Sequence, residues 1–277
     1  MKSLEELGTI TSGSLLDVLP KIILDEVEEA ARAKRFGRQL VRLNEDLIRT
    51  KGRSLIIARL GAVSAGSVTE GSAPGTTGEP TVTTPNTITI GKIGLKAVIT
   101  QEAIDSSNID IIRMTIQEAG IALAVKEDTD ILAALIAGYG SSVLMSGGTI
   151  TYNQIVEAAG NIRSQNWEPN VIVMNPAQFS QILSDTMFTD ASKYGGREPL
   201  LRGEVGMISN LKVLVTTQIA SGKALVLDTR QAGWLAIKRP VDLKRWDNPS
   251  TDSVELYFFM EYGTKATRTE AIALIAT

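Results

Sequence analysis

The sequence has no cysteine and no histidine. The first absence excludes disulfides and thiolate zinc sites and is compatible with synthesis in a reducing compartment. The second removes Ser-His-Asp and Cys-His catalysis, imidazole metal sites and the usual proton shuttle at neutral pH. Carboxylate, lysine and tyrosine chemistry stay open. No apolar run reaches the roughly 18 residues that span a bilayer, and the N-terminus lacks the apolar stretch of a signal peptide. A net charge of −3 provides no global attraction to nucleic acid or to anionic membrane. Glycine is generous, and 277 residues suffice for a sizeable core in one or two domains.

The rest of the chain is organised around residues 107–138. Ile109, Ile112, Ile116, Ala119 and Leu123 recur at helical spacing, and Ile121, Val125, Leu132 and Ile136 form a second stripe. The spacing predicts one helix, capped by Ser107 with Asp110 three residues on and stopped by Gly138 and Gly140. At about 1.5 Å per residue such a rod is on the order of 40 Å long. Arg113, Gln117, Lys126, Glu127, Asp128 and Asp130 are expected on a wet flank. That reading also disposes of Glu127, Asp128 and Asp130 as a metal cluster, since Asp128 and Asp130 point to different sides of a helix.

Ahead of this rod, residues 54–63 and 87–100 read as strands. Between them lie residues 64–86, rich in Gly, Thr and Pro, with Val68 and Val82 the only sizeable apolar side chains. Loops beyond about 12–15 residues are uncommon in compact domains. Fixing each residue costs roughly 1–2 kcal/mol of backbone entropy, and this segment has little to bury against its own subunit. The expectation is a long two-stranded arm whose tip is ordered on a neighbour. Gly66 and Gly71 have the interval of a phosphate-binding loop, but Ser72 stands where the lysine must be and no helix follows.

Residues 1–14 look like a flexible arm, and 15–33 an amphipathic helix (Leu15, Val18, Leu19, Ile22, Ile23, Val27, Ala30) notched by Pro20. Arg32, Lys34, Arg35, Arg38 and Arg42 follow with no intervening acid. A phosphate-binding patch and a solvated or inter-subunit salt-bridging face are both open, and the lack of an aromatic stacking platform favours the second. Residues 39–48 could be strand or helix. Beyond the rod, Thr151 and Gln154 make a capping box, 171–174 is a short buried strand, and Asn175-Pro176 opens a helix. Residues 184–206 form a second long connection, followed by strands at 211–216 and 224–227. The alternation suggests a mixed sheet flanked by helices. Residues 234–245 pair naturally with 254–262, where Val254, Leu256, Phe258, Met260 and Tyr262 alternate strictly. Glu255 and Glu261 are expected on the solvated opposite face, and 271–276 reads as a last strand.

An extended hairpin, a spine helix, a mixed α/β lobe and a terminal β-hairpin, in that order, resemble the major capsid protein of tailed double-stranded DNA viruses. Val68-Thr69-Glu70-Gly71 is similar to the acidic-glycine signature of that family's extended loop, and residues 96–106 (KAVITQEAIDS) to its approach to the spine helix. Residues 200–203 (LLRG) ahead of 211–215 (LKVLV), and Val173-Met174-Asn175-Pro176, resemble its axial domain. The resemblance implies an α+β fold with an N-arm (1–36), an extended loop (54–100) and a terminal axial strand (267–277). The peripheral domain would hold 37–53, the spine helix (101–138) and the hairpin 234–266, and the axial domain 139–233. It implies subunit contacts through Glu70, Gly71, Thr76, Glu79, Arg113, Asp247, Asn248 and Arg268.

The implied function is structural. The chain would assemble with itself into pentamers and hexamers of an icosahedral shell around double-stranded DNA, in a virion assembled in the host cytoplasm. No catalysis, cofactor, metal or membrane partner is expected, and DNA would be enclosed without sequence specificity. Some family members join a lysine of the extended loop to an asparagine near the hairpin tip. Asn248 sits at such a tip, but residues 64–90 contain no lysine, so no crosslink of that kind is expected. A chain of this length starting at Met1 is not expected to carry a scaffolding segment, so a separate scaffolding protein and a portal are expected partners. Two rivals stay open: an encapsulin-type shell housing a cargo enzyme, and an α/β enzyme working through carboxylates or lysine.

Overall fold

The computed structural model describes residues 35–48, 52–60, 66–72, 82–106, 111–145, 147–185 and 207–277. The expected N-terminal helix, the Ser107 cap with Asp110, residues 200–203 and most of the connection 184–206 lie outside the described residues. In chain order the elements are β1 (Arg42–Asn44), β2 (Ser54–Leu60), β3 (Val82–Thr89), β4 (Gly91–Thr100), α1 (Gln101–Ser106), α2 (Ile111–Ala137), β5 (Ser141–Leu144) and α3 (Tyr152–Arg163). There follow β6 (Val171–Met174), α4 (Pro176–Leu183), β7 (Met207–Ile208), β8 (Leu211–Val215), β9 (Lys223–Leu227), β10 (Gly233–Asn248), β11 (Ser253–Ala266) and β12 (Ile272–Ala276). No described helix is long and apolar enough to cross a membrane.

The strands form a four-stranded sheet ordered β1-β10-β11-β4, a six-stranded sheet ordered β5-β12-β9-β6-β8-β7, and the two-stranded ribbon β2-β3. The alternation expected in the terminal hairpin sets the first sheet. Val254, Leu256, Phe258, Met260 and Tyr262 all point into one core with Ile116, Leu123, Ile131, Leu132 and Leu135 of α2. Each such side chain contributes about 1.5–3 kcal/mol when taken out of water. The hairpin is longer than expected, running past its apolar stretch because the turn after Asn248 keeps the strands in register to Ser253.

In the second sheet, β6 and β9 are central and buried on both faces, which explains the unbroken apolar run Val171–Met174. α3 starts with the expected Thr151/Gln154 capping box. α4 starts with Asn175 accepting from the Ala177 amide and with Pro176 in the first turn.

Four expectations are corrected. The strand expected over 87–100 is two: the chain changes sheets at Ile90, whose amide donates to the Arg53 carbonyl at 2.9 Å. β3 begins at Val82, so part of the expected loop 64–86 is ladder. Residues 91–100, counted within the extended loop by resemblance, pair with β11 along their whole length. The flank of α2 expected to be wet is partly dry, because Glu127 and Asp128 are 0% exposed. Residues 37–48 are neither simple strand nor helix but two short 3-10 turns around β1.

Candidate subunit-contact surfaces

The ribbon β2-β3 is rooted in its own body. Ile88 and Ile90 are buried with Leu47 and with Ala236 of β10, and Leu55, Ile57 and Trp234 pack around them. Polar ties reinforce the root. Asn86 Nδ2 donates to the Thr267 carbonyl at 3.1 Å and Lys265 Nζ to the Thr87 carbonyl at 3.2 Å. Beyond the root the ladder slips between Ile57 and Arg59. At the described part of the tip the chain is bare: residues 66–72 are all exposed, and Val68 is 50% exposed. Glu70 and Gly71 form the centre of a turn closed by the Ser72 amide on the Thr69 carbonyl at 3.0 Å. Gly71 has φ +83, a conformation costly for any side chain, which gives the acidic-glycine pair a physical reason. Thr76 and Glu79 lie outside the described residues.

The second surface is the tip of the β10-β11 hairpin. Asn248 Oδ1 accepts from the Ser250 amide and hydroxyl at 3.1 and 2.6 Å, shaping the turn. Its Nδ2 faces Glu255 Oε1 at 3.4 Å. Glu255 was expected on a wet face and is 7% exposed. It lies between its cross-strand neighbours Trp246 and Val98, with Lys96 Nζ at 2.8 Å and the Tyr257 hydroxyl donating to it at 2.5 Å. The Lys96 ammonium, and then the Tyr257 hydroxyl, hold the Glu255 carboxyl down at about 2. Reciprocally, Glu255 pushes the Lys96 ammonium above its ordinary value. Along the same face Lys92 Nζ stands 4.0 Å over the Phe259 ring, and Tyr257 and Phe259 stack with centroids 6.2 Å apart. Asp247 is exposed and paired with Arg245 Nε at 2.9 Å.

A third arrangement fixes the start of the described chain. Arg38 donates through Nε and Nη2 to both oxygens of Glu127, and Arg35 Nε lies 3.3 Å from the same carboxylate. Asp128 accepts from the amides of Gly37 at 2.9 Å and Phe36 at 3.2 Å. Burial, opposed by these two amides, pushes the Asp128 carboxyl up. Residues 35–38 thus lie against α2 at Glu127 and Asp128, so part of the arginine run is an internal salt bridge rather than a solvated or inter-subunit face. Nearby the Tyr262 hydroxyl donates to Asp130 at 2.8 Å, and burial followed by that carboxylate raises its pKa.

The remaining candidates are dispersed. Arg113 is exposed near the start of α2, and Arg268 lies over the Trp167 ring at 5.0 Å. The structure therefore brings Asp247 and Asn248 together and places Glu70 and Gly71 on a separate protrusion. The reading from sequence missed Lys96, Glu255 and Tyr257 as a cluster. The lysine across from an i, i+2 Glu-Tyr pair was visible, but only the register of β4 on β11 makes it meaningful. Among the described residues no group of three His, Cys, Asp or Glu side chains could hold a metal ion.

Residues 83–275 match the family model described as phage capsid protein. The major capsid protein of Staphylococcus phage phiMR11 is 27% identical over 175 residues, 62% of each chain, so the chain spans under two thirds of that relative's length. A structure from Mycobacterium phage Che8 superposes with a TM-score of 0.70 at 15% identity, covering 87% of this chain and 90% of that one. The capsid structure of cyanophage P-SCSP1u gives 0.70 at 14%, covering 87% and 88%. The virus-like particle from Pyrococcus furiosus gives 0.66 at 13%, covering 93% and 99%. At such identities these likenesses establish the α+β fold and no more, whereas the family model spans well over half of the sequence. The chain belongs to the phage capsid protein family.

Proposed function

We propose that the chain is the major capsid subunit of a tailed virus, building pentamers and hexamers of an icosahedral shell around double-stranded DNA. The observation that carries this reading is the ribbon β2-β3, anchored at its root by Ile88 and Ile90 and bare at Glu70 and Gly71. The stretch 64–86 has only Val68 and Val82 as sizeable apolar residues with which to offset roughly 1–2 kcal/mol of ordering entropy per residue. A neighbouring copy would supply the rest, with Glu70, Gly71, Thr76 and Glu79 on one side. Asp247, Asn248, Arg113 and Arg268 are proposed as further contacts between copies. In domain terms α2 and the four-stranded sheet form the peripheral part, and the six-stranded sheet with α3 and α4 the axial part.

The role is mechanical, with no catalytic step. Location in the virion follows from this reading, as do assembly in the host cytoplasm and dependence on a separate scaffolding protein and a portal. Sedimentation and negative-stain imaging of the expressed chain, alone and with a scaffolding protein, test it. Closed, uniform particles are expected with the scaffolding protein; a discrete monomer under every condition refutes it. A second shell reading, that of an enzyme-filled compartment, differs in what the particles contain. Nucleic acid rather than a cargo protein inside native particles decides for the virus.

A further inference from the structure

Strand β3 carries a proline, Pro85, inside an otherwise β-type run. A proline has no amide to give to a ladder, so within a sheet it is confined to edges and bulges. The ribbon β2-β3 has its bulge at this position. Ile57 faces Asn86, and the next pair is Arg59 with Thr83. Two steps along β2 thus match three along β3, with Ala58 set against Thr84 and Pro85 and one residue of β3 in excess. A bulge disrupts the ladder locally and bends the strand that carries it.

The two sides of this break differ. On the body side Ser54–Ile57 pair with Asn86–Thr89 in unbroken register, and Ile88 and Ile90 are buried. The Ile90 amide donates to the Arg53 carbonyl and Lys238 Nζ to the Gly52 carbonyl. Asn86 donates to Thr267, and Lys265 donates to Thr87. β11 lies so close that a Cβ on Gly263 would fall 2.3 Å from the Thr89 carbonyl oxygen. Each of these ties falls before the bulge. On the far side, the ladder among the described residues consists of Arg59 with Thr83 and Leu60 with Val82. A two-stranded ribbon on its own is marginally stable in water, so this short stretch adds little stiffness across a break.

We propose that the bulge at Ala58 and Thr84-Pro85 is an elbow, the root of the ribbon staying fixed to the body while the outer ribbon swings about it. The elbow is a property of the single chain. Its use rests on the reading of the chain as a shell subunit. Neighbours in a pentamer and in a hexamer stand at different angles, and a ribbon that bends beyond its root reaches both without disturbing the packing around Ile88.

The absence of cysteine allows nitroxide labels to be placed at chosen sites. The labelled chain is kept unassembled and diluted with unlabelled chain, so that only distances within one molecule are read. Glu118→Cys on the exposed side of α2 is the reference, paired with Ile56→Cys in the root or with Ser67→Cys near the tip. Pulsed electron spin resonance is expected to give a narrow distance distribution for Ile56 and a broad one for Ser67. Deleting Thr84 together with Pro85→Val evens the ladder, and is expected to narrow the Ser67 distribution toward that of Ile56. A broad distribution at Ile56 overturns the proposal, since the ribbon then pivots at its root. A narrow one at Ser67 in the native sequence overturns it too, as does a broad one that the evened ladder leaves unchanged. Where the altered ladder does not fold, amide exchange of the native chain decides. Slow exchange is expected for the bonded amides of Ser54–Ile57 and Asn86–Thr89, and fast exchange for Arg59, Leu60, Val82 and Thr83. Equal protection on both sides of Ala58 overturns the elbow. All of these readings come from single chains, so a failed elbow leaves the shell standing, and a failed shell in particle images leaves the elbow to be judged by its own distances.

Discussion

A Cβ on Gly37 would fall 2.6 Å from Asp128 Oδ1 and 3.1 Å from the Ile131 side chain. Gly37→Ala therefore pushes the carboxylate off its two amides, and stability is expected to drop by about 1–3 kcal/mol in denaturant melts. Gly52→Ala, where a Cβ meets nothing within 4 Å, is expected to leave the midpoint unchanged. Glu127→Gln is also expected to destabilise, by about 1.5–3 kcal/mol, because it removes the buried charge that Arg35 and Arg38 share as hydrogen-bond and ion-pair partner. At Glu255 the pH dependence has a definite sign. Its folded value is about 2 against an ordinary 4.5, so its contribution is complete above 4.5 and lost as pH falls toward 2. The gap in melting temperature between the native chain and Glu255→Gln is expected to close across that window. The same ion pair argues against an amide bond between Lys96 and Asn248, because an ammonium held by a carboxylate is not a nucleophile. Boiled particles are expected to run as one band at the mass of the sequence, with no loss of ammonia; a ladder contradicts this. None of these residues could be assigned from sequence. Arg38 and Glu127 are 89 positions apart, and a charged residue on a helix reads as wet until its partner is known.

Elements were more legible than residues, and the reason is periodicity. The β11 alternation and the apolar run of β6 each fix a burial pattern locally, so hairpin and central strand could be read directly. The break at Ile90 could not, since both halves of 87–100 are β-type and only the tertiary fold moves the second half onto β11. The long ribbon was legible by its deficit: a Gly- and Thr-rich stretch with nothing to bury. Because its root lies in a small core of its own around Ile88, folding and tip are separable. Replacing residues 61–81 by a short turn is expected to leave the melting temperature of the free chain within a few degrees, since each halving of loop length changes closure entropy by only about 0.6 kcal/mol. Particle formation is expected to be lost. Loss of folding would mean that the tip belongs to the subunit's own core; unchanged particles would remove it from the subunit interface.

At the scale of the whole molecule, charge bears on the proposed enclosure of DNA. The chain has 28 basic and 31 acidic residues, and at least Arg35, Arg38 and Lys96 are occupied by internal carboxylates. Affinity for a duplex grows with the number of phosphates neutralised and falls steeply with salt, by roughly 0.9 log units per phosphate for each tenfold rise in salt. A chain with net charge −3 has little with which to drive that exchange. A closed shell needs none of it, because enclosure holds a polymer that no single subunit binds. The two mechanisms part under salt. The unassembled chain is expected to leave duplex DNA unretarded in a gel at physiological salt, while filled particles protect their DNA from nuclease equally at low and at high salt. If free subunits retarded DNA with a steep salt dependence, or if added salt exposed the packaged DNA while shells stayed closed in images, the chain would be a DNA-binding protein and not simply a wall.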